Sequence, residues 1–154
     1  MPYNYSYQKT NFRPKRPVRS FRDLEVYQKA LECGVAISKS ILPILRPAPA
    51  IADSGVADKP EYPFFDEMSR CSLLIPLQLA EAHSARFDAK HSGLEILDEA
   101  MTNSNRMVVY LEEVRDIYAD KVERVLVEEL IRKYVYNRSK IFHLYKAWER
   151  FAEK

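Results

Sequence analysis

Apolar residues recur along this chain at intervals of three and four, with no convincing strand alternation. Four stretches follow helical spacing. The first opens near Ser20, where Ser20 and Asp23 form an S-x-x-D pattern able to satisfy free amides at a helix start. Leu24, Tyr27, Leu31, Val35, Ser38 and Leu42 mark its expected core face, and Pro43 is expected to end it. The second runs from about Phe64 to Arg86 on Met68, Cys71, Leu74 or Ile75, Leu79 and Ala82. Pro76 interrupts it, removing one backbone bond and crowding the Ser72 carbonyl. The pattern continues across the proline, which predicts one kinked helix.

The third stretch, from about Ala89 to Tyr118, carries Leu94, Leu97, Met101, Ser104, Val108, Leu111 and Val114 on one face. Its polar middle, Thr102 to Asn105, is either a weak point or a place where side-chain amides meet a neighbouring helix. The fourth, from about Asp120 to Glu153, is the most regular. Val127, Leu130, Tyr134, Asn137, Ile141, Leu144, Trp148 and Phe151 step alternately by three and four, a coiled-coil-like seam with one polar member. Between the first two helices lies residues 43–63, with five prolines and a glycine, too proline-rich for regular structure. Short connections near 87–88 and 118–120 make the later helices antiparallel neighbours. The expected fold is all-α: an antiparallel up-down four-helix bundle over residues 20–154, preceded by an arm at 1–19.

Composition supports this. The chain has 154 residues, the size of one domain, and its 3 glycines argue against a turn-rich all-β fold or a phosphate-cradling loop. No long apolar run suits a membrane span, and Met1 to Ser20 lacks the apolar core of a secretory signal. Cys33 and Cys71 sit in apolar helical patterns without a CxxC motif, which suits buried reduced thiols in a cytoplasmic protein.

The net charge of +2 hides an asymmetry. The arm carries Lys9, Arg13, Lys15, Arg16 and Arg19 with no acid, interleaved with Tyr3, Tyr5, Tyr7 and Phe12. Cations that meet phosphate and rings that stack on bases suit nucleic acid; a solvated tail or an acidic protein partner fits the same residues. On the fourth helix Arg132, Tyr136, Lys140, His143, Lys146 and Arg150 fall within about 120° opposite the seam. Residues 130–150 hold Arg132, Lys133, Arg138, Lys140, Lys146 and Arg150 against the single acid Glu149. Residues 95–116 hold six acids against Arg106 and Arg115. Charge segregated by helix attracts phosphate, or guides helices of different subunits together. The expected nucleic-acid contacts, to RNA or DNA, are therefore Arg13, Lys15, Arg16, Arg19, Arg132, Lys133, Lys140, His143, Lys146 and Arg150.

Catalytic chemistry is hard to assemble. A di-metal bundle site needs Glu-x-x-His pairs, and the residues three before His83, His91 and His143 are Ala80, Asp88 and Lys140. Asp88-x-x-His91 comes nearest, at an expected helix junction. No G-x-S-x-G motif occurs, and Glu81 and His83, two apart, point to different sides of a helix. The reading is no metal, no cofactor and no enzyme; a site assembled in space around Cys71 is the enzymatic alternative.

Phe21-Arg22-Asp23-Leu24-Glu25-Val26-Tyr27-Gln28-Lys29-Ala30 resembles the opening F-x-D-L-E-V-W-x-K-A of the four-helix-bundle proteins encoded in intervening sequences of bacterial 23S ribosomal RNA genes. The stretch from Met68 to Ala82 is similar to that family's second-helix signature, I-R-R-A-A-x-S-I-P-A-N-I-A-E-G, keeping Arg70, Ile75, Pro76, Ala80 and Glu81. It departs at Gln78 for Asn and Ala82 for Gly, and this chain's first connection is longer than the family's. The resemblance implies a bundle assembling into a ring, typically a homopentamer, without enzymatic activity. The related accessory variability (Avd-like) proteins of diversity-generating retroelements form basic rings that bind nucleic acid and a reverse transcriptase. That implies an alternative role here, as an accessory scaffold for such a polymerase. Glu81 is expected to pair with Arg70 or Arg106.

Overall fold

The seam of the fourth stretch forms the spine of the molecule. A computed structural model describes residues 18–46 and 64–152, and all regular structure among them is helical. The main helices are α1 (Glu25–Ala36), α2 (Phe64–Ser84), α3 (Ser92–Ile117) and α4 (Arg124–Ala152). In α4, Val127, Leu130, Tyr134, Asn137, Ile141 and Trp148 are buried, because a three–four alternation keeps them on one side of a 3.6-residue turn. Leu144 is half-buried, and Phe151, the last expected member, is 64% exposed near the helix end.

The helices pack in a cycle: α1 on α2 and α4, α2 on α3, and α3 on α4. Phe64 and Phe65 at the start of α2 meet Tyr118 just past the end of α3. At the other end of α2, Gly93 near the start of α3 presses against the backbone of Ala82 and Arg86. The core between the four helices includes Ile37, Met68, Ile75, Leu79, Leu97, Met107, Leu111 and Ile141, all at most 1% exposed. Residues 47–63, most of the proline-rich connection, lie outside the described residues.

The first helix differs from expectation in three ways. Ser20 and Asp23 do form a reciprocal capping box, but it closes a 3-10 turn, Phe21–Asp23. The chain then extends at Leu24 before α1 begins. Second, the buried stripe is Val26, Ala30, Cys33, Ile37, Ile41 and Leu45, while Leu31 and Val35 of the expected face are exposed. Small residues on the true stripe let α1 come close: a Cβ on Gly34 would lie 2.7 Å from the Ser72 carbonyl oxygen. That is the carbonyl which Pro76 deprives of its helical N–H. The carbonyl freed by Pro76 on α2 thus faces Gly34 on α1, and α2 runs unbroken through the crossing.

Third, Pro43 does not end the helix. After Ala36 the backbone widens into a π-helical turn, Ile37–Ile41, and closes with Leu42–Leu45. The Leu42 N–H reaches back to the Ile37 carbonyl, five residues away. The ladder slips by one residue just before Pro43, so the proline falls at the start of a new helical turn, where its missing N–H costs little. The wider turn also suits the spacing of Ile37, Ile41 and Leu45, which repeat by four and would drift off one face of an ordinary helix.

The junction expected near 87–88 spans 85–91. His91 there has φ of 52°, a left-handed conformation uncommon for a residue with a side chain. Asp88 caps α3, its carboxylate accepting the Ser92 N–H at 3.0 Å and the Ser92 hydroxyl. Those bonds hold the Asp88 carboxyl below its ordinary range.

Candidate nucleic-acid interface

The regularity that buries the α4 seam also sets what lies opposite. Opposite the seam, Arg132, Tyr136, His143, Lys146 and Arg150 are all exposed, with Lys140 half-buried. Cations and rings interleave. The Lys140 ammonium lies 5.3 Å from the centroid of the Tyr136 ring, and the Lys146 ammonium 5.5 Å from that of Phe142. His143 lies beside Phe142, with ring centroids 6.2 Å apart. Glu149, the acid of this stretch, is 3.3 Å from the Lys146 ammonium.

Lys133 differs from its neighbours. Its ammonium lies 3.2 Å from Glu32 of α1 and 3.5 Å from Glu129 of α4, so it ties the two helices together. The hydrogen bond between them raises the Lys133 pKa and lowers that of Glu32. Both groups keep much contact with water, so the pair adds little stability. It does fix the wall of a groove of about 330 Å³ between α1 and α4, lined by Lys29, Glu129, Arg132, Lys133 and Tyr136. Sequence reasoning missed Lys29. It lies inside the motif of the first helix, and only the packing of α1 on α4 brings it beside Arg132.

The arm is not joined to this face by the described residues. Arg13, Lys15 and Arg16 lie outside them. Arg19 is exposed, its backbone N–H donating to Asp23 at 2.9 Å, and the 3-10 turn that follows packs on α1 and α2.

On the other side of the bundle a cleft of about 300 Å³ separates α2 from α3. Here the polar middle of the third helix serves as a meeting place for amides. Asn103 Nδ2 donates to Gln78 Oε1 at 2.9 Å, Gln78 Nε2 to Glu99 at 3.4 Å, and Arg106 to Asn103 Oδ1 at 3.4 Å. Gln78 is the residue that stands where the resembling family has Asn. Cys71 lies at the cleft and its Sγ donates to the Asn103 carbonyl at 3.3 Å. Burial pushes the Cys71 thiol up to about 11, and Cys33 likewise, so both are protonated at neutral pH. Glu81 is exposed and makes no ion pair among the described residues; the expected partners turn elsewhere, Arg70 to Glu67 at 3.7 Å and Arg106 to Asn103. His83, two residues on, is buried against Trp148. Among the described residues no three His, Cys, Asp or Glu side chains gather as a metal site, and no helix is long and apolar enough to cross a membrane.

Comparison with family models, with curated proteins and with solved structures gives no match to this chain.

Proposed function

We propose that this protein is a non-enzymatic, oligomeric nucleic-acid-binding protein, an antiparallel up-down bundle of the kind encoded in 23S ribosomal RNA intervening sequences. One observation carries the reading: the outer face of α4 exposes Arg132, His143, Lys146 and Arg150 beside Tyr136, with one acid in the whole stretch 130–150. Such a surface attracts phosphate without reading sequence. Burial raises both thiol pKa values, which disfavours the thiolate that a cysteine nucleophile at Cys71 would need.

Self-association, with a pentameric ring as the expected form, draws support from a second surface. Leu31 and Val35 of α1 and Leu73 and Leu77 of α2 are between 40 and 53% exposed. Leu73 lies close to Gly34, the neighbour of Val35, so the two pairs flank the crossing of α1 and α2. A second copy of the chain is the proposed occupant, and a reverse transcriptase the alternative.

Fluorescence anisotropy with labelled RNA tests the main reading. For about four phosphate contacts the affinity should fall by about a hundredfold between 50 and 200 mM salt. The Arg132/Lys140/Lys146 triple-alanine variant should bind weakly at every salt concentration. Undiminished binding at high salt, or in the triple variant, would sink the proposal. Light scattering tests assembly: Leu31→Glu with Leu73→Glu should give monomers, and a wild-type monomer would remove the ring.

A further inference from the structure

The basic face of α4 is more than a row of charges. Along the helix, cations alternate with rings: Arg132, Tyr136, Lys140, His143, Lys146. Tyr136 is 55% exposed, although a tyrosine ring gains by burial and nothing in the core requires it there. The groove it lines holds Lys29, Arg132 and Lys133 around it, with Glu129 as its one acid. Lys133 is held by Glu32 and Glu129, and Lys29 lies 3.6 Å from the same Glu32, which leaves Arg132 as the groove cation with no ion pair among the described residues. At about 330 Å³ the groove stands at the lower end of the range of about 300–1,000 Å³ usual for small-molecule sites. It has room for a nucleotide turned out of its stack and none for a double helix.

We infer that this groove binds single-stranded nucleic acid in preference to duplex, with an unpaired base stacked on Tyr136 and a flanking phosphate on Arg132. The inference rests on the nucleic-acid reading above and narrows it. A duplex offers phosphates and hides the faces of its bases, so it engages cations and leaves an exposed ring idle. A single strand uses both. Lys140, held over the ring of Tyr136, fixes the platform and places a further charge next to it.

The test measures anisotropy of the full chain with a labelled single strand and with its blunt duplex at one salt concentration. The single strand should bind about tenfold more tightly, the scale of one stacked base. Tyr136→Ala should remove that advantage, lowering single-strand affinity about tenfold more than duplex affinity, and Tyr136→Phe, which keeps the ring, should restore it. Tyr136 is exposed, so circular dichroism should show each variant folded. Equal affinity for both forms, or a single-strand preference that survives Tyr136→Ala, would overturn this inference and leave nucleic-acid binding standing. Failure to bind either form would remove the nucleic-acid reading and this inference with it.

Discussion

α1 and α4 are both amphipathic helices on opposite sides of one seam, and they use apolar residues differently. α4 keeps a strict three–four repeat of large residues from Val127 to Trp148, and its burial follows that repeat. α1 carries two competing stripes. One has the larger Leu31 and Val35; the other has Ala30, Cys33 and Gly34 leading into Ile37. The protein buries the second, because close approach to α2 needs small side chains at the crossing. Asn137 links the two helices, donating from Nδ2 to the Val26 carbonyl at 3.0 Å. The difference teaches that a stripe of large residues predicts burial where helices meet at ordinary distance. Where backbones nearly touch, small residues go inside and large ones remain for another partner.

Three substitutions test that contrast. The largest effect belongs to the regular seam. Ile141 is fully buried, and Ile141→Ala should cost about 2–5 kcal/mol by lost burial and a cavity, read as a lower midpoint in urea unfolding. A cost under 1 kcal/mol would mean the seam is looser than its geometry. Gly34→Ala should come next. On an exposed helix this change stabilises by about 1 kcal/mol, but here the new methyl meets the Ser72 backbone, and a loss of about 1–3 kcal/mol is expected. A gain in stability would show that the crossing with α2 has room to spare.

The smallest effect is expected at Tyr134. Its ring fills the centre of the core, yet its hydroxyl is buried without a hydrogen-bond partner among the described residues. Burial raises its pKa well above the ordinary value. Tyr134→Phe removes a polar atom that the core does not satisfy, so stability should be unchanged or rise by up to about 1 kcal/mol. A clear loss in thermal unfolding would reveal a partner for that hydroxyl.

Where the local pattern was periodic, the helices were legible: three of the four begin and end close to where spacing, caps and prolines put them. The exceptions have physical causes. Pro43 reads locally as a stop, but a π-turn just before it supplies a register in which proline is tolerated. Ser20 and Asp23 read as the cap of a long helix, and they cap a single 3-10 turn because Leu24 extends. The exposed cations of α4 follow from its period. Their neighbours do not: Lys29 reaches the groove, and Glu32 engages Lys133, across 101 positions in the chain.

Local spacing is enough to dictate that helices form, which face of α2, α3 and α4 is apolar, and that α4 turns a basic side outward. These depend on spacing within one turn or two. Tertiary structure decided which of α1's two stripes is buried, that Gly34 pairs with the carbonyl above Pro76, and that Lys29 joins Arg132 and Tyr136 in one groove. Each of those depends on how closely two backbones approach, a distance fixed by side chains far apart in the chain.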